Sequence, residues 1–411
     1  MMKKQLTLGR ALTVFLPLLL ICCVLTAQMC YRFMYIPARS NYQSLAAALS
    51  EKYDEKDALI KELKSIKELF DGKYVGELDE QALIAAVMRA YVKTTGDRFA
   101  AYYTPEEYEK LQASYESQGE GIGVRVSATS DGRLLIAHVE KKSPAEEAGI
   151  QKGDEILSVE GQSVLEIGTE RATELLVGKE GSEAVFSVKG ESGTREVSVT
   201  RKKINYATVI YSLEEGQVGY LRILSFGNTT CKEMEDAIKE LTAKGALKLV
   251  FDLRQNGGGL LSAVHDMLDL LIKDGTKEEP RILLSTIDKN KNEKRYLCDD
   301  GKSVDLPMAV LIDEHTASAA ELFAAALRDY EMARLVGTTT YGKGVAQSTY
   351  ELEDGSAVRL TTSYYYPPCG ENYDGVGVAP HREVSGQGLN IYLTPLSQDP
   401  VFGAALEELN K

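Results

Sequence analysis

The sequence is short of cysteine, of histidine and of positive charge, and each shortage removes a class of function. Of its six cysteines, Cys22, Cys23 and Cys30 lie in or beside one apolar run near the N-terminus. Only Cys231, Cys298 and Cys369 remain for the rest of the chain, an odd number without a Cys-x-x-Cys pair. Neither a disulfide framework nor a cysteine-based metal site is expected, and no cofactor is implied. The four histidines, His138, His265, His315 and His381, form no cluster with cysteine. Lysine and arginine number 47 against 61 aspartates and glutamates, a formal net charge of −14. Such a chain lacks the basic surface that nucleic-acid phosphates require. It also lacks long charge blocks, low-complexity tracts and internal repeats.

One long apolar run is present. Lys3, Lys4 and Arg10 precede Ala11 to Cys30, whose uninterrupted part is Val14 to Leu25. About 20 apolar residues suffice to cross a bilayer. Leu25-Thr26-Ala27 is a poor small-x-small cleavage site, and no lipobox precedes the cysteines. An uncleaved anchor is therefore expected over residues 1–33, with a cleaved signal peptide as the alternative. In both cases the basic flank stays in the cytoplasm and the remainder is exported.

With 44% apolar and 26% charged residues, the rest has the composition of a folded protein with room for two or three domains. Residues 34–117 read as helices. Tyr42, Leu45, Ala46, Leu49 and Tyr53 recur at helical spacing, as do Leu83, Val87, Met88 and Tyr91. Asp79-Glu80-Gln81 gives an acidic first turn, and Thr104 caps a helix opened by Pro105. Such helices serve as plain structure or as contacts between copies, which leaves a homo-oligomer open.

Residues 118–203 change to glycine and short β-like runs. The series Gly121-Ile122-Gly123-Val124, Ser143-Pro144-Ala145, Ala148-Gly149 and Gly153-Asp154-Glu155-Ile156 resembles a PDZ domain. The resemblance implies that Gly121, Ile122, Gly123 and Val124 form the loop that receives a peptide's terminal carboxylate. The peptide would then add as a strand to an open edge.

From residue 204 to 395 strand and helix alternate. Lys248 to Arg254 and Met308 to Asp313 are continuous apolar runs ending in charge, as expected for strands buried on both faces. Each leads through a turn into a helical pattern, Leu260 to Leu271 and Phe323 to Tyr330. Residues 396–411 read as a C-terminal helix.

Ser318 follows the second strand and opens a helix. Ser318-Ala319-Ala320-Glu321 fits a capping box, which is the plain reading. The chemical reading is a nucleophile whose neighbouring N–H groups, beginning with Ala319, could bind an oxyanion. The turn Gly257-Gly258-Gly259 could supply a second donor. Lys343 stands between two glycines where a strand begins, so that residues 343, 345 and 347 would share a face. Gln347 could then aim the lysine amine without adding the negative charge that would raise its pKa. None of the histidines is well placed to serve as a base instead.

These motifs, with Gly119-Glu120-Gly121-Ile122-Gly123, Asp252-Leu253-Arg254-Gln255-Asn256 and Gly375-Val376-Gly377-Val378-Ala379-Pro380, resemble the C-terminal processing peptidases, or tail-specific proteases. The implied fold class is α+β and multidomain: an anchor, a helical segment, a PDZ-like β domain and an α/β protease core of the ClpP/crotonase type. The resemblance implies Ser318 as nucleophile, Lys343 as general base and Gln347 as the residue that orients it. It implies an oxyanion hole of Ala319 N–H with a glycine N–H. Gly258 is favoured over Gly257, because relatives can carry proline at the latter position. Two departures stand out: Val177 replaces an arginine common in relatives, and Pro367 to Asn372 replaces a Ser-Gly-Arg-type loop. The expected activity is cleavage of exported proteins near free apolar C-termini. A non-catalytic anchored PDZ scaffold is the alternative, and an enoyl-hydratase-like enzyme a second.

Overall fold

The computed structural model describes residues 55–276, 278–299 and 301–411. The expected anchor and the Tyr42 to Tyr53 stripe lie outside the described residues. Among the described residues no helix is long and apolar enough to cross a membrane.

The chain divides into a unit ending at Gly96 and a second from Asp97 to Lys411. The first contains α1 (Glu55–Lys73) and α2 (Glu80–Lys93). Asp79 caps α2 by accepting from Ala82 N at 3.0 Å, as the acidic start predicts. Ile60, Leu63, Ile66 and Phe70 of α1 and Leu83, Met88 and Tyr91 of α2 are exposed.

The second unit opens with β1 (Ala101–Tyr103), where helix was expected, and α3 (Pro105–Tyr115). Thr104 and Glu107 form a reciprocal capping box on α3. The chain then enters a five-strand antiparallel sheet with one short added strand. Its strands are β3 (Val124–Ala128), β4 (Leu134–Val139), β5 (Glu155–Val159), β6 (Gln162–Ser163), β7 (Glu183–Gly190) and β8 (Gly193–Thr200). Their order is β3-β4-β5-β7-β8, with β6 on β5, so β3 is an edge. Helix α4 (Thr169–Leu176) buries Ala172 and Leu176 in the core of this domain. An antiparallel ribbon of β2 (Gln118–Gly121) and β9 (Lys202–Asn205) carries the chain in and out.

The core is a six-stranded sheet of order β10-β11-β12-β15-β16-β19. It comprises β10 (Val209–Glu214), β11 (Val218–Ile223), β12 (Lys248–Asp252), β15 (Met308–Ile312), β16 (Ala333–Gly337) and β19 (Arg382–Glu383). All its pairings are parallel except β10 with β11. Helices α5 (Thr230–Ala243), α6 (Leu261–Leu271) and α7 (Ala319–Asp329) pack on one face, around Phe226, Phe251 and Phe323. Helix α8 (Pro400–Glu408) covers the other, through Val401, Phe402 and Ala405. Coverage on both faces explains why every residue of β11 and β15 is buried. A buried Arg254 ties α8 to the sheet, donating to Asp252 at 2.7 Å and to the α8 cap Asp399 at 2.6 Å.

A second, antiparallel sheet lies over this core. It consists of β13 (Ile282–Asp288), β14 (Glu293–Leu297), β17 (Val345–Glu351) and β18 (Ala357–Tyr366), together with β1. Strand β1 pairs Ala101 with Arg359, so a segment far upstream borders the end of the molecule that holds Lys343.

Candidate active site

The parallel strands β12 and β15 end side by side, and their following turns meet. Ser318 sits where β15 gives way to α7, with φ +57° and ψ −119°. A non-glycine residue rarely holds a positive φ, and such strain clusters at functional positions. The Ala319 N–H that follows has no acceptor among the described residues. The triple-glycine turn after β12 lies directly against this corner. A Cβ on Gly258, whose φ is +97°, would stand 2.7 Å from Ala317 O and 2.9 Å from both Ala319 N and Ser318 Cβ. Glycine is therefore required for this close approach. The Gly258 N–H donates to Asn256 Oδ1 at 2.8 Å.

Glu321, one turn into α7, is fully buried. Its Oε2 accepts from Ser318 N at 2.7 Å and from Lys343 N at 2.8 Å. Its Oε1 accepts from Thr340 Oγ1 at 2.5 Å and from Gly342 N at 2.6 Å. One carboxylate thus fixes the backbone at Ser318 and at Lys343. The sequence presents Glu321 only as a helix cap; the lone charge in Ala319-Ala320-Glu321-Leu322-Phe323-Ala324 was the available signal.

Lys343 is half-buried, with its Nζ 4.4 Å from the centre of the Phe99 ring. Its pKa is lowered from the ordinary lysine value. Burial is the main cause, followed by the charges of Arg359 and Arg98, and Glu321 and Asp97 oppose the shift. The hydroxyl of Tyr365, which feels the Ser318 side chain, donates to Lys343 O. Tyr373 OH approaches Ser318 O at 3.4 Å, and its ring meets that of Tyr365 edge-on. Burial pushes both phenols up, so they remain protonated donors. Neither tyrosine carries a sequence signal beyond its aromatic character.

Gln347 stands on β17 but does not bond Lys343. Its Nε2 donates to Val345 O at 3.2 Å and to Thr361 Oγ1 at 3.3 Å. The expected shared face of residues 343, 345 and 347 does not extend to Lys343. Strand β17 begins at Val345, so Lys343 lies before it, and the bulge opposite Ala346 and Gln347, at Thr362, belongs to β18. The unusual segment before Tyr373 supplies Asn372, whose Nδ2 donates to Gly344 O and Tyr365 O at 2.8 and 2.7 Å.

Across the smaller domain, Gly121 to Gly123 form a buried turn into the edge strand β3. Gly123 has φ +81°, and a Cβ there would lie 2.2 Å from Ser143 Cβ. The N–H groups of Ile122 and Gly123 have no acceptor among the described residues. Val124 is paired with Val139 of β4. Where relatives carry an arginine after the domain's helix, Val177 is exposed. A different arginine, Arg201, bonds the last carbonyls of α4, Leu175 O at 2.6 Å and Leu176 O at 3.2 Å.

Cys298 is a buried and Cys369 an exposed free thiol. Among the described residues, Asp269, Asp274 and Cys298 form a group close enough to share an ion. The thiol is already committed, however, donating to Ile272 O at 2.8 Å.

Residues 217–384 match the sequence model of peptidase family S41, and residues 111–189 match that of the PDZ domain. The chain is 32% identical over 339 residues to the carboxy-terminal processing protease CtpA of Bacillus subtilis, covering 82% of this chain and 70% of that one. It is 30% identical over 338 residues to CtpB of the same organism, covering 81% and 69%. A solved structure from Bacteroides fragilis assigned to the S41 proteases matches the fold with a TM-score of 0.55 at 20% identity, over 78% of this chain and 90% of that one. The chain belongs to the C-terminal processing serine proteases of peptidase family S41, with a PDZ domain preceding the protease core.

Proposed function

We propose that the protein is a membrane-anchored, extracytoplasmic endopeptidase that cleaves exported proteins near their C-termini with a Ser318–Lys343–Gln347 set. The observation that carries this reading is the junction at Glu321. A strained serine and a desolvated lysine, from different strand ends, hang on one buried carboxylate. Neutral Lys343 takes the Ser318 hydroxyl proton as Oγ attacks the substrate carbonyl. The tetrahedral oxyanion is received by Ala319 N–H and a glycine N–H of the turn. The lysine then returns the proton to the leaving amine, and water hydrolyses the acyl-enzyme.

Two rearrangements precede this chemistry. The lysine amine leaves the Phe99 ring for Ser318. The Gly258 N–H exchanges Asn256 for the oxyanion. Gln347, which holds the strand at Val345, would guide the amine after that swing. In the PDZ domain, the unpaired N–H groups of Ile122 and Gly123 support capture of a free carboxylate, with the peptide adding to the β3 edge. Anchoring and export rest on the apolar run from Ala11 to Cys30 behind its basic flank. The exposed apolar residues of α1 and α2 support self-association through that unit.

The test is turnover of an unfolded peptide with a free apolar C-terminus by the purified full chain, with products mapped by mass. Cleavage is expected in the wild type and absent in folded Ser318→Ala and Lys343→Ala. An inactive wild type would favour the scaffold reading.

A further inference from the structure

The segment Asp97 to Tyr103, upstream of the PDZ domain, belongs to the environment of the lysine. It is fixed at several points. Asp97 accepts from Thr361 N at 2.8 Å and from Thr361 Oγ1 at 3.1 Å, and Phe99 N donates to Asp97 Oδ1 at 2.9 Å. Arg359 Nε donates to Phe99 O at 3.3 Å, and β1 continues the segment as a strand on β18. The Phe99 ring so placed has Lys343 Nζ at 4.4 Å and the guanidinium carbon of Arg98 at 4.6 Å. Among the described residues, the amine makes no hydrogen bond and no ion pair.

We propose that Phe99 is a positioning residue for Lys343, a wall that keeps its amine dry between two arginines; this rests on the reading of Lys343 as the general base. The charged groups facing the amine are Arg98 and Asp97 from the segment itself, Arg359 from β18 and Glu321 from α7. Asp374 stands next to them, accepting from Gly344 N at 3.0 Å and lying 4.0 Å from Arg98 Nη2. The ring acts on the amine in two opposed ways. Its face attracts an ammonium, which favours the charged form. Its bulk excludes water from a cation that has no other acceptor, which favours the neutral form. Burial is the largest influence on this lysine and the ring lies over its amine, so the larger of the two effects is assigned to exclusion of water. The segment therefore holds the base partly shielded from water, with its pKa lowered, before the amine swings to Ser318.

The experiment measures the titration of Lys343 directly, by competitive acetylation of the full chain with acetic anhydride across pH and mass analysis of the Lys343 peptide. A Ser318→Ala background prevents turnover. Phe99→Ala is expected to move the titration midpoint up by about one pH unit or more, towards an ordinary lysine. In the Ser318-containing enzyme, kcat/KM near neutral pH then falls about tenfold per unit of that move and recovers at alkaline pH. Phe99→Val, a milder truncation, moves the midpoint the same way by less and serves if Phe99→Ala does not fold. An unmoved midpoint in a folded variant overturns the proposal. A moved midpoint together with an active Lys343→Ala enzyme would leave the wall in place but remove the base assignment, so the two failures are distinguishable.

Discussion

Replacing Glu321 by glutamine changes almost no volume but weakens the junction between the serine and the lysine. Each carboxylate oxygen accepts two hydrogen bonds, Thr340 Oγ1 and Gly342 N on one, Ser318 N and Lys343 N on the other. In glutamine one oxygen becomes a donor, and in either orientation at least one buried N–H then faces an N–H. In the less costly orientation the Thr340 hydroxyl accepts from the amide, the Gly342 N–H bond is lost, at about 1.5–3 kcal/mol, and the bonds from Ser318 N and Lys343 N lose their charge assistance. Part of the loss is offset, because a neutral amide does not carry the desolvation penalty of a fully buried carboxylate that has no ion-pair partner among the described residues. The net destabilisation is about 2–4 kcal/mol. In a domain this large that lowers Tm by roughly 5–10 °C. Turnover falls further than stability, by about a hundredfold or more at a temperature where the variant is folded, since the backbone anchor of both reacting residues is weakened. Thr340→Ser, which keeps the hydroxyl, stays near the wild type. Circular dichroism melting and peptide turnover at ~25 °C are the assays. A folded Glu321→Gln enzyme with wild-type turnover would refute the argument.

Activity is expected to rise with pH through the lowered pKa of Lys343, because the base works only when neutral; a rate that falls steadily over the same range would point to a different base. Amidating a peptide's C-terminus should weaken its binding to the full chain about ten- to hundredfold, the equivalent of roughly 1.5–3 kcal/mol; equal binding measured calorimetrically would exclude carboxylate reading by the Gly121 to Val124 turn. Gly123→Ala should abolish that binding and destabilise the domain, since its Cβ would lie 2.2 Å from Ser143 Cβ at a φ of +81°; a thermally unchanged, peptide-binding variant would contradict this.

What the sequence made legible was local. The apolar runs at Lys248 to Arg254 and Met308 to Asp313 contain the buried strands β12 and β15, because burial on both faces leaves a continuous signature. The Thr104 cap stands where it was expected, and the acidic start at Asp79 opens α2 with Asp79 itself as the cap. The missing parts are long-range. Residues 101–103 read as helix yet form β1, because pairing with Arg359 outweighs local preference. Phe99 carried no signal for the same reason: its neighbour Lys343 is brought to it by the fold. The shared face of Lys343 and Gln347 was not met because the strand begins only at Val345, a boundary the sequence does not mark. Glu321 was visible as a cap but not as the hub of four donors, three of which lie outside its own helix turn.

The central claim is that Lys343 activates Ser318, and the most direct measurement is covalent labelling by a serine-directed fluorophosphonate, read by intact mass and peptide mapping. The account predicts a single adduct on Ser318 in the wild type and its loss in folded Lys343→Ala. A label on another serine, or undiminished labelling of Ser318 without Lys343, would contradict it.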